Sequence, residues 1–441
     1  MTQALSLAVA PELEAAIRKA FLYVFPVHDL ARTRLLFTQL PDSPRNVAPN
    51  VLHHNRKLLN HRARQVTMPN NDTLYSTAWL DVSAGPLLLS LPDMHDRYYS
   101  IALMDVFTNN FACVGRRTTG TDAITFAIAG PDWTGTAPDG THLIRSPSND
   151  VWLLGRILVD GWEDLPEVHR LQEAMRLEPL DPAVHASGPN LYRTAPGERT
   201  PSTFLELINE TLGRNPIPEH ERAMVAGYAN IGIRPGVSGA WDALDDAVRS
   251  AWTTLMPQLF HELKSLPASY LQREEDQRGH WVSGRDHIGN FGDDYAYRAF
   301  ICLSGLGALE RTEAVYLTSR VDAVGEPLDG RHSYRVHVPA GMPVDAFWSL
   351  SMYEFEPDGR GFFVDNPIGR YTIGDRTPGL VFNSDGTADL WLRHAAPRED
   401  RMANWLPAPA GPFALALRFY QPQASLLDRS FVMPDAQRLD T

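Results

Sequence analysis

Tyr98-Tyr99-Ser100-Ile101-Ala102-Leu103-Met104 and Phe347-Trp348-Ser349-Leu350-Ser351-Met352-Tyr353 spell one pattern twice. Each runs aromatic, aromatic, Ser, aliphatic, small, then Leu or Met. Runs of this composition suit a pleated, buried surface and predict strands over Tyr98–Val106 and Phe347–Phe355. Each copy follows a strand that ends in proline, Leu87–Leu91 before Pro92 and Tyr334–Val338 before Pro339. Each is followed later by an Asp-Gly turn, Asp139-Gly140 and Asp385-Gly386. Each region then closes on an aliphatic strand with an internal arginine, Arg156 within Val151–Val159 and Arg418 within Phe413–Tyr420. Matches recurring in one order argue for duplication: two equivalent β lobes.

Working outward, Gly130-Pro131-Asp132 and Pro138-Asp139-Gly140 punctuate short strands, with others expected at Thr125–Ile128, Gly379–Asn383 and Asp389–Arg393. Short strands with frequent turns favour a sandwich or jelly roll over βαβ units. The flanks change period. Leu13, Ile17, Ala20, Phe21 and Val24 recur at helical spacing within Pro11–Leu36, a run that Pro26 is expected to kink or end. Helices are expected at Leu165–Leu177, from Ser202-Thr203 onward, at Asp242–Leu263 and at Asp294–Leu309. The expected class is mainly β with a helical insert: two jelly-roll or β-sandwich lobes, a double jelly roll, plus an α-helical middle segment. The expected divisions are a helical segment over 1–65, a first β lobe over 66–162, a helical segment over 163–327 and a second β lobe over 328–441.

At 441 residues the chain exceeds what one hydrophobic core usually supports, which agrees with two lobes. Its net charge of −13, with no long Lys/Arg run, argues against nucleic acid as a partner. No stretch reaches the ~18 apolar residues of a membrane span. The N-terminus shows no basic region ahead of an apolar run, so a signal peptide is not expected and the cytoplasm is. Cys113 and Cys302 sit in apolar surroundings and read as buried free thiols.

Three blocks carry a resemblance: Pro69-Asn70-Asn71-Asp72-Thr73-Leu74-Tyr75-Ser76; Thr108-Asn109-Asn110-Phe111 with Gly115-Arg116-Arg117-Thr118-Thr119-Gly120; and Asn366-Pro367-Ile368-Gly369-Arg370-Tyr371 with Ile373-Gly374-Asp375-Arg376-Thr377. Together they resemble the tandem domain-of-unknown-function families 1254, N-terminal, and 1214, C-terminal. The resemblance spans about Ala20 to Pro434. It implies a double jelly roll and a homo-oligomer, and no particular reaction.

The same blocks hold the chemistry. Asp72 reads as a general base and Tyr75 as an acid in a polar wall with Asn71, or else the motif is a bonded turn that sets strand register. Asn110 and Arg116 suit an anionic group, with an internal ion pair to Asp105 or Asp122 as the other reading of the arginines. Asp294 and Arg298 share a helix face at i,i+4, either as a surface ion pair or with Tyr295 and Arg298 closing a pocket; Tyr353, Asn366 and Arg370 supply the C-terminal counterpart. His53, His54 and His61 cluster without a cupin or zinc ligand pattern, so no metal site is assigned. No Gly-x-Ser-x-Gly elbow, dinucleotide fingerprint or phosphate loop is present, and no cofactor is expected. The functional expectation is a small-molecule enzyme, of lyase, isomerase or hydrolase type, using Asp72 and Tyr75 with an arginine anchoring an anionic ligand. The alternative is a non-catalytic binding or oligomeric assembly protein.

Overall fold

The computed structural model describes residues 9–41, 46–64, 67–266, 270, 279–356 and 360–439. Residues 1–8 and the expected boundary at 65–66 lie outside these. The protein is mainly β, with four sheets and eight α-helices among the described residues.

The N-terminal lobe comprises β1 (His53–His54), β2 (Thr73–Asp81), β3 (Leu87–Leu91), β4 (Tyr99–Met104), β5 (Asn110–Gly115), β6 (Ile124–Ala129), β7 (His142–Arg145), β8 (Asp150–Leu158) and β9 (Arg176–Pro179). They form one sheet in the order β1-β2-β8-β4-β5 and another in the order β7-β6-β3-β9. The C-terminal lobe comprises β10 (Val282–Ser283), β11 (Ala314–Ser319), β12 (Tyr334–Val338), β13 (Val344–Phe355), β14 (Gly361–Phe363), β15 (Thr372–Gly374), β16 (Ala388–Arg393), β17 (Trp405–Pro407), β18 (Ala414–Pro422) and β19 (Gln437–Arg438). Its sheets run β10-β11-β18-β13-β14, with β15 also on β13, and β17-β16-β12-β19.

The two lobes share one wiring. β2-β8-β4-β5 maps onto β11-β18-β13-β15, and β7-β6-β3-β9 onto β17-β16-β12-β19. Register fixes the match residue by residue. Arg156 pairs with Tyr75 and Ser100, whereas Arg418 pairs with Tyr316 and Ser349. The Asp-Gly turns are not equivalent under this mapping. Asp139-Gly140 leads into β7, whereas Asp385-Gly386 leads into β16, the counterpart of β6. Close approach repeats as well: a Cβ on Gly115 would sit 2.4 Å from the Tyr99 oxygen, and one on Gly374 2.2 Å from the Trp348 oxygen. Glycine is required at both places because strand backbones cross there without room for a side chain.

Each lobe has its own apolar core. Leu74, Leu80, Leu89, Ile101, Phe126 and Leu153 fill the first, and Val336, Trp348, Leu350, Leu390, Leu415 and Leu417 the second. Alternation sends the other faces of β2-β8-β4 and β11-β18-β13 toward each other, where Tyr98, Ala102, Phe347 and Tyr420 meet. The result is a stack of sheets with a separate, more polar layer between the lobes.

The helices are α1 (Pro11–Thr38), α2 (Arg116–Thr119), α3 (Leu165–Ala174), α4 (Pro201–Arg214), α5 (Arg222–Ala226), α6 (Asp246–Lys264), α7 (Tyr295–Gly305) and α8 (Ala424–Leu427). α1 runs through Pro26 without ending, although the ring leaves a carbonyl one turn earlier without its donor. Burial of Phe21, Val24 and Phe25 against Phe204, Trp252 and Phe260 holds it together. α4 is capped by Thr200, just ahead of the expected Ser202-Thr203 start, through a reciprocal bond with Thr203. The stretch expected to be helical over 163–327 also carries β9 and β10, each at the edge of a lobe sheet, and β11, which lies between β10 and β18. Gly379–Asn383, expected as a strand, is irregular. The Asn404 side chain bonds both the N–H and the C=O of Val381, taking the place of a neighbouring strand.

Candidate functional site

The layer between the lobes gathers the arginines and tyrosines of the central strands. Arg156 and Arg418 are each 6% exposed, although both lie in strands that otherwise feed apolar cores. Arg418 has both Nη atoms engaged: it donates to Ser351 Oγ (2.9 Å), the Tyr353 hydroxyl (2.8 Å) and the Met68 carbonyl (3.1 Å). Arg156 donates to the Gly307 carbonyl at 2.8 Å and lies 5.3 Å from the centre of the Tyr75 ring. Tyr98, Tyr316 and Tyr420 complete its surroundings. Burial pushes the phenols of Tyr98, Tyr316 and Tyr420 upward, so each keeps its proton at neutral pH.

Carboxylates at matching positions tie the lobes together. Asp72, directly before β2, accepts from Ser349 of the other lobe at 2.6 Å and faces Arg376 at 3.6 Å. Glu313, directly before β11, accepts from Tyr98 at 2.9 Å and from Arg117 at 2.7 Å. Each lobe therefore supplies a carboxylate to the other lobe's strand and arginine. Asn70 adds a strut, donating to the Tyr420 hydroxyl at 2.6 Å. Phe347 stacks on Tyr420 at 4.2 Å with the Arg376 guanidinium 4.1 Å from its ring centre.

Of the residues expected to carry function, Asp72, Tyr75 and Tyr353 come together in this layer. Tyr353 is wholly buried and donates to the Pro69 carbonyl at 2.6 Å, whereas Tyr75 keeps open surface. The others lie elsewhere. Asn71 donates to the Leu59 carbonyl, and Asn110 to the Ala308 carbonyl. Arg116 binds Asp96 and the Gln421 side chain on an exposed edge. Asn366 closes its own loop onto Arg370, whose guanidinium meets the carbonyls of Met402, Ala403 and Trp405. Asp294 caps α7 and binds Arg285 rather than Arg298. Arg298 is buried between the rings of Tyr23, Phe107 and Tyr295 and donates to the Tyr23 carbonyl.

Arg156, Arg418, Tyr316, Tyr420 and Glu313 are among the residues of the layer to which the motifs gave no role, as are Tyr98, Ser349 and Arg376. The internal arginines in aliphatic strands were the available signal. A charge buried in a strand needs partners that only another sheet supplies.

Two further groups bear on chemistry. Cys113 and Cys302 are unbridged, and burial pushes the Cys113 thiol up to about 12. His220, Glu221 and Asp293 bring one ligand atom each within 4.8 Å of one another at the helical end of the molecule. His54 instead bonds Ser76, and His61 bonds Tyr371. No helix among the described residues is long and apolar enough to cross a membrane.

Comparison with known proteins adds family and fold. No curated protein matches the chain. The VPA0106 protein from Vibrio parahaemolyticus shares the fold at a TM-score of 0.73 and 24% identity, covering 97% of this chain and 100% of that one. An uncharacterized protein from Burkholderia cenocepacia aligns at a TM-score of 0.44 and 12% identity, over 97% of this chain and 98% of its own. Residues 49–179 match the model of the protein of unknown function DUF1254, and residues 313–424 that of DUF1214. The chain thus belongs to these two families in tandem, DUF1254 on the N-terminal side and DUF1214 on the C-terminal side.

Proposed function

We propose that the layer between the lobes is the working site of a small-molecule enzyme that runs acid–base chemistry of lyase, isomerase or hydrolase type. The observation that carries this reading is the convergence of Arg156, Arg418, Tyr75, Tyr98, Tyr316, Tyr353 and Tyr420 between two apolar cores. Burying guanidinium groups there is costly for folding, and groups with displaced titration in one place favour a functional role. In this reading the half-buried Tyr75 phenol donates a proton to the substrate. A proton leaving the substrate passes to Ser349 Oγ as that hydroxyl gives its own to Asp72 Oδ2, 2.6 Å away. Each lobe is read as a jelly roll, since its strands alternate between two sheets, the ligand is read as anionic, and the protein is read as cytoplasmic.

A second reading has its own support. Asn71, Asn110, Asn366 and Arg370 spend their polar atoms on carbonyls of nearby segments, as expected of struts in an oligomeric assembly protein. A native mass spectrum of freshly purified protein against its denatured mass separates the two. A released metabolite that the wild type converts, and Tyr75→Phe converts at least about ten-fold more slowly, is the expected result. A homo-oligomer with nothing bound, inert toward a panel of small carboxylic acids followed by NMR, would leave only the assembly reading.

A further inference from the structure

Lobe symmetry exposes a difference at its centre. Ser351 and Tyr353, which hold Arg418, have Ala102 and Met104 as their register counterparts around Arg156. Neither side chain accepts a hydrogen bond as a hydroxyl does. Arg156 Nη1 is accordingly buried without a partner, and Nη2 has only the Gly307 carbonyl. The carboxylates of the layer are committed elsewhere, Glu313 to Arg117 and Tyr98, Asp72 to Ser349 and Arg376. Access does not separate the two arginines, each 6% exposed, and Tyr75 and its counterpart Tyr316 both keep open surface, so the difference lies in the acceptors.

We infer that Arg156 is the anchor for a carboxylate-bearing ligand, which supplies the acceptors that Ser351 and Tyr353 supply to Arg418. A guanidinium fork matches a carboxylate in two parallel bonds, and a buried charge with a free N–H gains most from such a partner. The ligand body then lies over Tyr75 and Tyr316, whose rings offer apolar faces with a phenol at the edge. This rests on the reading of the layer as a ligand site. It replaces Arg116 and Arg298, both bonded elsewhere, as the anionic anchor.

The test titrates the full-length protein with benzoate and acetate, and with benzamide as the uncharged control, reading the thermal midpoint. A carboxylate is expected to raise the midpoint of the wild type while benzamide does not. Arg156→Met is expected to weaken apparent binding about ten-fold or more. Ala102→Ser, which returns the acceptor found near Arg418, is expected to weaken it without loss of fold, so the inference stays testable if Arg156→Met does not fold. Equal stabilisation of wild type, Arg156→Met and Ala102→Ser, or no carboxylate response in the wild type, overturns the anchor. Carboxylate binding without any turnover keeps the anchor and sinks the catalytic reading. Turnover of an identified substrate that survives in Arg156→Met does the reverse.

Discussion

Arg156 and Arg418 occupy the same place in the same strand of two lobes wired alike, yet one is saturated and the other is not. In the C-terminal lobe the arginine closes a hydrogen-bonded knot with Ser351, Tyr353 and the Met68 carbonyl. In the N-terminal lobe the corresponding wall is Ala102 and Met104, and Met104 turns to pack on Leu30 and Trp79. One fold therefore uses a buried arginine in two ways. Where the lobe provides acceptors, the charge fastens the structure. Where it provides alkyl groups, a guanidinium nitrogen is left without a partner.

The largest expected effect comes from breaking the saturated side. Arg418→Met strands the Met68 carbonyl and takes one of two partners from Ser351 Oγ and from the Tyr353 hydroxyl, which keep Thr372 and the Pro69 carbonyl, and is expected to cost about 3 kcal/mol in urea unfolding. Arg156→Met removes a single bonded carbonyl and relieves a buried charge, so its cost is expected within about 1 kcal/mol. Equal losses in the two variants would break the comparison.

A smaller effect sharpens it through pH. Asp105, just past β4, is buried, and burial raises its carboxyl to about 6 despite bonds from the Phe107 and Asn109 amides. Its C-terminal counterpart, Glu354, stays half-buried and faces Arg64 at 3.5 Å. A raised folded value means that the folded state binds the extra proton. Stability from this group is therefore present below about 4 and is lost as pH rises through about 6. Asp105→Asn keeps an acceptor for the amides and removes the charge. It is expected to gain about 2 kcal/mol relative to wild type at pH 7.5 and nothing at pH 3.5, read by denaturant midpoints.

The smallest expected change is Ala102→Ser without ligand. A hydroxyl set beside Arg156 is expected to add up to about 1 kcal/mol, moving the N-terminal lobe toward its twin. A loss instead would mean that the space beside Ala102 does not admit the Arg418 arrangement.

The repeat was legible because aromatic and aliphatic spacing survives duplication. The alignment of residues 98–104 with 347–353 holds in the register of β4 and β13 against β8 and β18. The Asp-Gly turns misled because many loops use that dipeptide, and position in a sheet decides which loop is which. The candidate site was legible only in part. Asp72, Tyr75 and Tyr353 lie in the layer, whereas Arg116, Arg298, Asn366 and Arg370 satisfy local needs that spacing along the chain does not reveal.

Sequence by itself determined the two β lobes, the helical flank and the arginines in apolar strands, since periodicity and composition act over neighbouring residues. Tertiary structure decided what those arginines meet. The partners of Arg156 and Arg418 come from strands, turns and the opposing lobe, tens to hundreds of residues away. Whether a buried guanidinium is satisfied depends on acceptors that only the packed sheets bring within about 3 Å.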